Sequence, residues 1–208
     1  MISTKVVLIG GAPGAGKSTL GRFLAARLGA DSLAVDDLAE GIRAVTTAES
    51  HPEHHIMAKA VTGMNSVEYF TAGPVERMVR DADAQHVATW PAVEAVIRRH
   101  ADWGHPIVID GWYFRPNMVA RLELSNVSSF WLVVDESVLE ERERKEDFYS
   151  QSNAPERMLQ NFLERSYWYN DLISQQAGEL NLEILHQDGT VSVDSMCETI
   201  MKRLEQDE

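Results

Sequence analysis

Residues 5–19 read KVVLIGGAPGAGKST, and this stretch decides how the rest of the chain is interpreted. The run from Lys5 to Ile9 is rich in β-branched residues, which predicts a short strand. Leu20, Leu24 and Leu28 then recur at helical spacing. Between the strand and the helix, the chain matches the pattern G-x-x-x-x-G-K-[ST], and this pattern carries chemistry only between a strand and a helix. Both parts of that structural context are present.

Each residue type in this glycine-rich segment has a physical role in holding phosphate. Glycines reach backbone conformations closed to other residues, so successive N–H groups can point at phosphate oxygens, and the helix start adds its dipole. Lys17 supplies a cation that can follow a transferring phosphoryl group, and Ser18 supplies a hydroxyl that can bind Mg²⁺. We refer to Gly11–Ser18 as the P-loop. The residues predicted to bind the nucleotide are Gly11, Ala12, Pro13, Gly14, Ala15, Gly16, Lys17, Ser18 and Thr19.

Composition excludes several classes of partner. The chain has 208 residues with 19 Lys plus Arg and 32 Asp plus Glu, which gives a formal net charge of −13. Because such a field repels polyanions, nucleic acid and anionic membrane surfaces are not expected partners. The apolar runs are too short for a signal peptide or a membrane span, so we expect a cytoplasmic protein.

The remaining apolar runs predict an α/β fold. Four more strands are expected at Leu33 to Val35, Pro106 to Ile109, Phe130 to Val134 and Leu182 to Leu185. Helical patterns lie between them, which predicts one domain with a doubly wound, five-stranded, mostly parallel sheet. Between about residues 43 and 104, apolar residues recur only at helical spacing, and no run predicts a strand. We therefore expect a helical insertion that caps the carboxyl ends of the strands and selects the substrate.

Two predicted strands end in carboxylates. Asp36 and Asp37 follow the second strand, where an acceptor hydroxyl could lie beside the γ-phosphate, and Asp36 is the candidate for accepting the hydroxyl proton. Helix capping is the alternative role, above all for Asp37. Asp110 ends the third strand, the usual position of a carboxylate that orients Mg²⁺ or its water shell. Its alternative role is again capping.

Candidate acceptor-binding residues follow the third strand and occur in the cap. Trp112 and Arg115 stand where the acceptor is expected, although core packing of the aromatic side chain is the alternative. Arg165, on the helical pattern of Pro155 to Ile173, is a further candidate. An anionic acceptor would require cations in the cap, and those available are Arg43, Lys59, Arg77 and Arg80. A cationic or neutral acceptor is equally compatible with His51, His54, Asp81 and Asp83.

Four segments of the chain together resemble the P-loop small-molecule kinases, and most of all the 2-phosphoglycerate-kinase-like branch. They read GGAPGAGKSTLGRFLAARLGA, LAVDDLAEGIR, GHPIVIDGWYFRPN and FWLVVDESVLEERERKEDF. The layout is also similar to that of chloramphenicol-type phosphotransferases and zeta-toxin-like kinases. The resemblance implies a P-loop NTPase fold with a lid, ATP and Mg²⁺ as cofactors, and an acceptor-side role for Asp36. The chain departs from the family pattern at Val35 and at Asp110, where a small polar residue and often Glu are usual.

The same resemblance implies an arginine-bearing lid at about residues 137–157. The candidates for stabilising phosphoryl charge are Arg142 and Arg144. On a continuous helix Arg142 and Lys145 share a face, whereas Arg144 is turned away from Arg142 by roughly 160°. A solvated helix face with glutamate–arginine pairs is the alternative for this segment.

These observations predict transfer of the ATP γ-phosphoryl group to a hydroxyl of a small molecule, with Asp36 and Lys17 as catalytic residues. The acceptor is either a phosphoglycerate-like metabolite or a specialised metabolite such as an antibiotic. The alternative from a different class is a nucleotide-dependent switch or regulatory ATPase, in which nucleotide binding moves the insertion against a protein partner.

Overall fold

Five parallel strands form one sheet in the order β2-β3-β1-β4-β5. The computed structural model describes residues 4–56 and 65–206. The strands are β1 (Val6–Gly11), β2 (Asp31–Ala34), β3 (Ile107–Gly111), β4 (Val127–Val134) and β5 (Glu183–Gln187). The predicted α/β class and the five strands are confirmed, with strand ends displaced by at most three residues.

Eight α-helices lie in the described part of the chain. They are α1 (Lys17–Leu28), α2 (Val35–Val45), α3 (Ser66–Ala72), α4 (Val75–Trp103), α5 (Pro116–Ala120), α6 (Glu136–Glu143), α7 (Pro155–Glu179) and α8 (Val193–Gln206). Short 3₁₀ helices occupy Pro52–His55 and Asp147–Gln151. None of the helices within residues 4–56 and 65–206 has the length and apolar character needed to cross a membrane.

Alternation of side chains along the central strands creates two cores. In β1, Val7 and Ile9 pack in one core with α1 and α8, whereas Val6 and Leu8 pack in the other with α2 and α4. Every residue of β1 is buried because helices cover both faces of the sheet. Its uninterrupted apolar run is therefore the expected signature of a central parallel strand.

The helical stripes of the insertion belong largely to one long helix. Helix α4 runs without a break through Pro91, and its first half contributes Met78 to the core that contains α3. Its second half contributes Val93 and Ile97 to the core beneath β1 and β3. This segment therefore packs against α3 at its start and is the crossover helix that leads into β3, while its role as a cap stays a prediction.

Helix α7 connects the cap, the lid and the sheet. Near its start, Met158 and Leu163 pack in the same core as Tyr69 and Phe70 of α3. Further along, Tyr169 packs beneath the sheet, and its hydroxyl donates a hydrogen bond to the carbonyl of Phe114. The midpoint of α7 consequently lies where the three parts of the fold meet.

Gly10 provides a test of the central packing. A Cβ at this position would lie 2.4 Å from the ring of the fully buried Trp131. We expect Gly10→Ala to lower the free energy of unfolding by about 1–3 kcal/mol, because overpacking a rigid core strains its neighbours. Urea denaturation would measure the change.

Gly178→Ala is the matched control, because a Cβ at Gly178 in α7 meets no atom within 4 Å. This variant should be neutral or up to about 1 kcal/mol more stable, since alanine favours a helix. Equal stability of the two variants would contradict the packing described for Trp131.

Candidate active site

The strand register places the predicted site residues close together at the carboxyl edge of the sheet. Asp110 pairs with Ile9 of β1 on one side and with Ala34 of β2 on the other. The P-loop follows two residues after Ile9, and Asp36 follows two residues after Ala34. Two carboxylates and the glycine loop thus leave neighbouring strands at one edge, where parallel α/β sheets bind their ligands.

The backbone of the P-loop has the conformation required to surround an anion. Gly14 and Gly16 have φ angles of 78° and 98°, a region that residues with side chains rarely adopt. Gly16 directly precedes α1, and the first N–H groups of a helix have no partner within it. These donors and the helix dipole create a positive site at the start of α1.

Lys17 is buried at the centre of this site. Its Nζ donates a 2.8 Å hydrogen bond to the carbonyl oxygen of Ala12. Burial lowers the pKa of Lys17 to about 8, while the charges of Asp36 and Asp110 act to raise it. The amine is therefore still mostly protonated at physiological pH, and an added anion would stabilise its charge further.

Ser18 and Asp110 form a pair suited to a hard cation. The Ser18 hydroxyl donates a 2.7 Å hydrogen bond to Oδ2 of Asp110, and burial raises the pKa of that carboxyl group. In the described residues, no cluster of three or more His, Cys, Asp or Glu could hold a metal ion. One hydroxyl and one carboxylate fit Mg²⁺, because this ion takes few protein ligands and completes its shell with phosphate and water.

Asp36 lies in the first turn of α2. Ala34 precedes that helix, and no side chain of the described residues caps it, so the alternative capping role of Asp36 and Asp37 is absent. The side chain of Asp36 keeps an exposed face, yet the protein around it excludes enough water to raise the pKa of its carboxyl group. Lys17 opposes that rise in pKa, whereas Asp110 adds to it.

Tyr113 extends the site from Asp36 towards the cap. Its side chain is buried, and its pKa is raised by burial and by the charge of Asp36, while Arg43 lowers it. Arg43 also forms a 2.5 Å ion pair with Glu40 on α2. Trp112 packs edge-on against His86, with ring centroids 4.4 Å apart, so the packing role left open for this residue is present.

Arg115 is held by partners from α4. It forms an ion pair with Asp83, and its Nε donates a 3.3 Å hydrogen bond to Nδ1 of His86. His86 is fully buried, and burial together with Arg115 lowers its pKa well below the usual value. Arg115 thus joins the long helix to the segment after β3. Its role in acceptor binding stays a prediction.

Arg165 has a different environment. It is 6% exposed, and its guanidinium carbon lies 4.8 Å from the ring of Phe70, 4.9 Å from that of Trp112 and 5.2 Å from that of Phe162. Burial lowers its pKa to about 10. Of the other cap cations, Arg77 forms an ion pair with Asp81, and Lys59 lies outside the described residues.

The two lid arginines point in different directions. Arg142 donates from Nη1 to the carbonyl oxygens of Gly14 and Ala15, at 3.3 and 3.2 Å, so it contacts the P-loop directly. Arg144 is exposed and pairs with Glu140 and Glu156. The structure therefore brings Arg142 to the P-loop and leaves Arg144 exposed, facing away from it.

Sequence reasoning missed the polar pair behind the P-loop. Glu143 is buried against Gly14, and the hydroxyl of Tyr149 donates a 2.6 Å hydrogen bond to its Oε2. Burial raises the pKa of Glu143. In the sequence, Glu143 stands among alternating charges typical of an exposed helix. No spacing signal separates it from its neighbours.

Comparisons with known proteins show which family the chain resembles. A family model described as an AAA domain matches residues 6–167. The chain is 26% identical over 157 residues to mevalonate-3-phosphate 5-kinase of Thermoplasma acidophilum, and the match covers 74% of each protein. It is also 26% identical over 198 residues to 2-phosphoglycerate kinase of Methanopyrus kandleri, covering 89% of this chain and 58% of that protein.

A solved structure supports the fold independently of sequence. The shikimate kinase of Bacteroides thetaiotaomicron superposes with a TM-score of 0.55 at 16% identity, covering 96% of this chain and 98% of that one. At this identity the likeness concerns the fold. It confirms the predicted P-loop architecture over nearly the whole length of the chain.

The depressed pKa of Lys17 predicts that nucleotide binding takes up protons. Phosphate anions beside the amine raise its pKa, so ATP should bind with net proton uptake near pH 8 and more weakly as the pH rises above 8. Calorimetry in two buffers of different ionisation enthalpy measures the uptake.

Lys17→Arg is the control for this titration, because a guanidinium stays charged throughout this range. The variant should bind ATP without the proton uptake. The same buffer dependence in both proteins would assign the titration to another group.

Proposed function

The chain belongs to the AAA domain family, and on this premise we propose that it transfers the γ-phosphoryl group of ATP to a hydroxyl of a small-molecule acceptor. It is a P-loop kinase of the small-molecule type, as its relatives are. The proposal concerns the donor, the metal, the acceptor and the role of each residue.

The observation that carries the proposal is the position of Asp36. Its carboxylate lies within electrostatic reach of Lys17 and Asp110, and it accepts no hydrogen bond from the described residues. A carboxylate in this position can orient an acceptor hydroxyl and take its proton as the phosphoryl group arrives. A raised pKa makes it a stronger base than an ordinary aspartate.

The P-loop supports ATP as the donor. Its backbone N–H groups would hold the triphosphate, and Lys17 would neutralise charge on the transferring group. Ser18 and Asp110 would hold Mg²⁺. When bound, this ion would neutralise phosphate charge and orient the oxygens for in-line attack.

The two sequence relatives support a small polar acceptor. Their names describe kinases of mevalonate 3-phosphate and of 2-phosphoglycerate, which are hydroxyl-bearing phosphate esters. We propose a metabolite of this general kind, such as a phosphoglycerate-like compound, or a specialised hydroxyl-bearing metabolite. Tyr113, Arg43 and Trp112 flank the space in which it would bind.

An acceptor screen tests this function. ATP consumption with Mg²⁺ is measured against pools of phosphoglycerates, sugars, nucleosides and hydroxyl-bearing antibiotics, with Lys17→Ala as the blank. The proposal requires one pool to speed consumption and to yield a product heavier by one phosphate. Slow ATP hydrolysis at a rate that no acceptor changes would instead support a nucleotide-dependent switch.

Asp36→Asn is expected to separate binding from transfer. The variant should bind ATP with unchanged affinity and lose about 100- to 10,000-fold in kcat, because an amide cannot accept the proton. Wild-type kcat should fall as the pH drops through the raised pKa of Asp36, since the base must be ionised. Asp37→Asn, which removes the neighbouring charge, should keep most of the activity. Wild-type turnover by Asp36→Asn would reject this base.

The lid arginines give a second comparison. Arg142→Ala should lower kcat by about 100- to 1,000-fold, because it removes a donor that reaches the P-loop. Arg144→Ala should cost less than about threefold, because exposed ion pairs contribute little. Steady-state kinetics with the identified acceptor would decide between them, and the opposite ranking would reverse the assignment.

A further inference from the structure

Arg165 is a buried cation without a counter-ion in the part of the chain that the structure describes. At 6% exposure its guanidinium makes no ion pair and no hydrogen bond with residues 4–56 or 65–206, and its Nε is unsatisfied. Arginine carries five donors in a rigid planar fork and keeps its charge in proteins. A buried charge is normally paired, because leaving water without a partner is costly.

The aromatic surroundings compensate for only part of that cost. Phe70, Trp112 and Phe162 place ring faces near the guanidinium and stabilise a cation through their quadrupoles. Rings supply no hydrogen-bond acceptors in the plane of the fork. The donors of Arg165 therefore lack hydrogen-bond acceptors within residues 4–56 and 65–206.

The nearest carboxylates already have partners. Asp81 lines the same small cavity, where it pairs with Arg77 and accepts a 2.9 Å hydrogen bond from the hydroxyl of Tyr69. Glu143 accepts its hydrogen bond from Tyr149. Both lie near Arg165 without contacting it, so neither acts as its counter-ion.

Tyr113 links this cation to the proposed base. The hydroxyl of Tyr113 lies within electrostatic reach of both Asp36 and Arg165. A small molecule bound beside Tyr113 would therefore lie near both charged groups. The remaining wall of the cavity includes Gln85, a further hydrogen-bonding group.

We propose that Arg165 is the receptor for an anionic group of the acceptor, a carboxylate or a phosphate, and that it selects anionic over neutral hydroxyl compounds. This inference rests on the proposed kinase function, because the hydroxyl of the same molecule must meet Asp36. A planar fork that binds two oxygens suits both kinds of anion. Anionic metabolites are then the substrate class, and neutral sugars or nucleosides are not.

A binding experiment tests the proposal without turnover. The protein is saturated with Mg²⁺ and ADP so that the P-loop is filled, and isothermal titration calorimetry measures the binding of each probe. The probes are D-glycerate, glycerol 3-phosphate and glycerol, which separate carboxylate, phosphate and neutral acceptors. We expect one or both anions to bind and glycerol to bind at least about 30-fold more weakly, since charge-assisted hydrogen bonds are the strong ones.

Variants of Arg165 give the decisive comparison. Arg165→Met should weaken anion binding by about 30-fold or more and should leave the melting temperature unchanged or raised, because it removes an unpaired buried charge. Arg165→Lys should restore part of the binding. Arg157→Met is the matched control, because Arg157 is exposed on the same helix, and it should bind anions as the wild type does.

Three results would overturn the proposal. They are equal binding of glycerol and the anions, anion binding by Arg165→Met within about threefold of wild type, and no anion binding by the wild-type protein. The kinase function fails separately. If no acceptor is phosphorylated, the kinase function is rejected and the binding result still stands. If only neutral acceptors are phosphorylated, the kinase function is retained and the anion-binding role of Arg165 is rejected.

Discussion

The buried amine of Lys17 is the constraint on which the rest of the site depends. A cation that is removed from water needs negative partners, and the parallel strand register supplies them because β2 and β3 end at the same edge of the sheet as β1. Asp36 and Asp110 therefore act together on one amine. The same register brings Asp110 to Ser18, so a single geometric rule arranges the lysine, the candidate base and the candidate metal ligands.

Helix α7 transmits this arrangement to the cap and the lid. Its first half shares a core with Tyr69, Phe70 and Tyr149, and its second half lies beneath the sheet. Motion of the cap or the lid relative to the sheet would change the packing around the middle of α7, where Arg165 lies. A helix that belongs to both cores therefore links the packing on the two faces of the sheet.

Much of the fold and the nucleotide site could be predicted from sequence because local patterns encode them. The P-loop is contiguous, and each strand is a short apolar run between turn residues, so Val6–Gly11 and Ile107–Gly111 were recognisable. The continuity of α4 could not be recognised from the sequence. Pro91 and the change in packing partners along the helix divide its apolar pattern into two separate sets of residues. Glu143 escaped prediction because its burial depends on Gly14, 129 positions earlier in the chain.

Arg115 and Arg165 show which part of the acceptor side could not be predicted, because the sequence marks both as candidates without distinguishing them. Both are buried arginines that follow candidate site segments, and nothing in their local sequence distinguishes them. Their difference comes from α4, which provides Asp83 and His86 to Arg115 but no partner to Arg165 among the described residues. A satisfied cation contributes to the fold, whereas an unsatisfied one keeps its donors available for a ligand. Tertiary pairing therefore distinguishes the two arginines, whereas their local sequence does not.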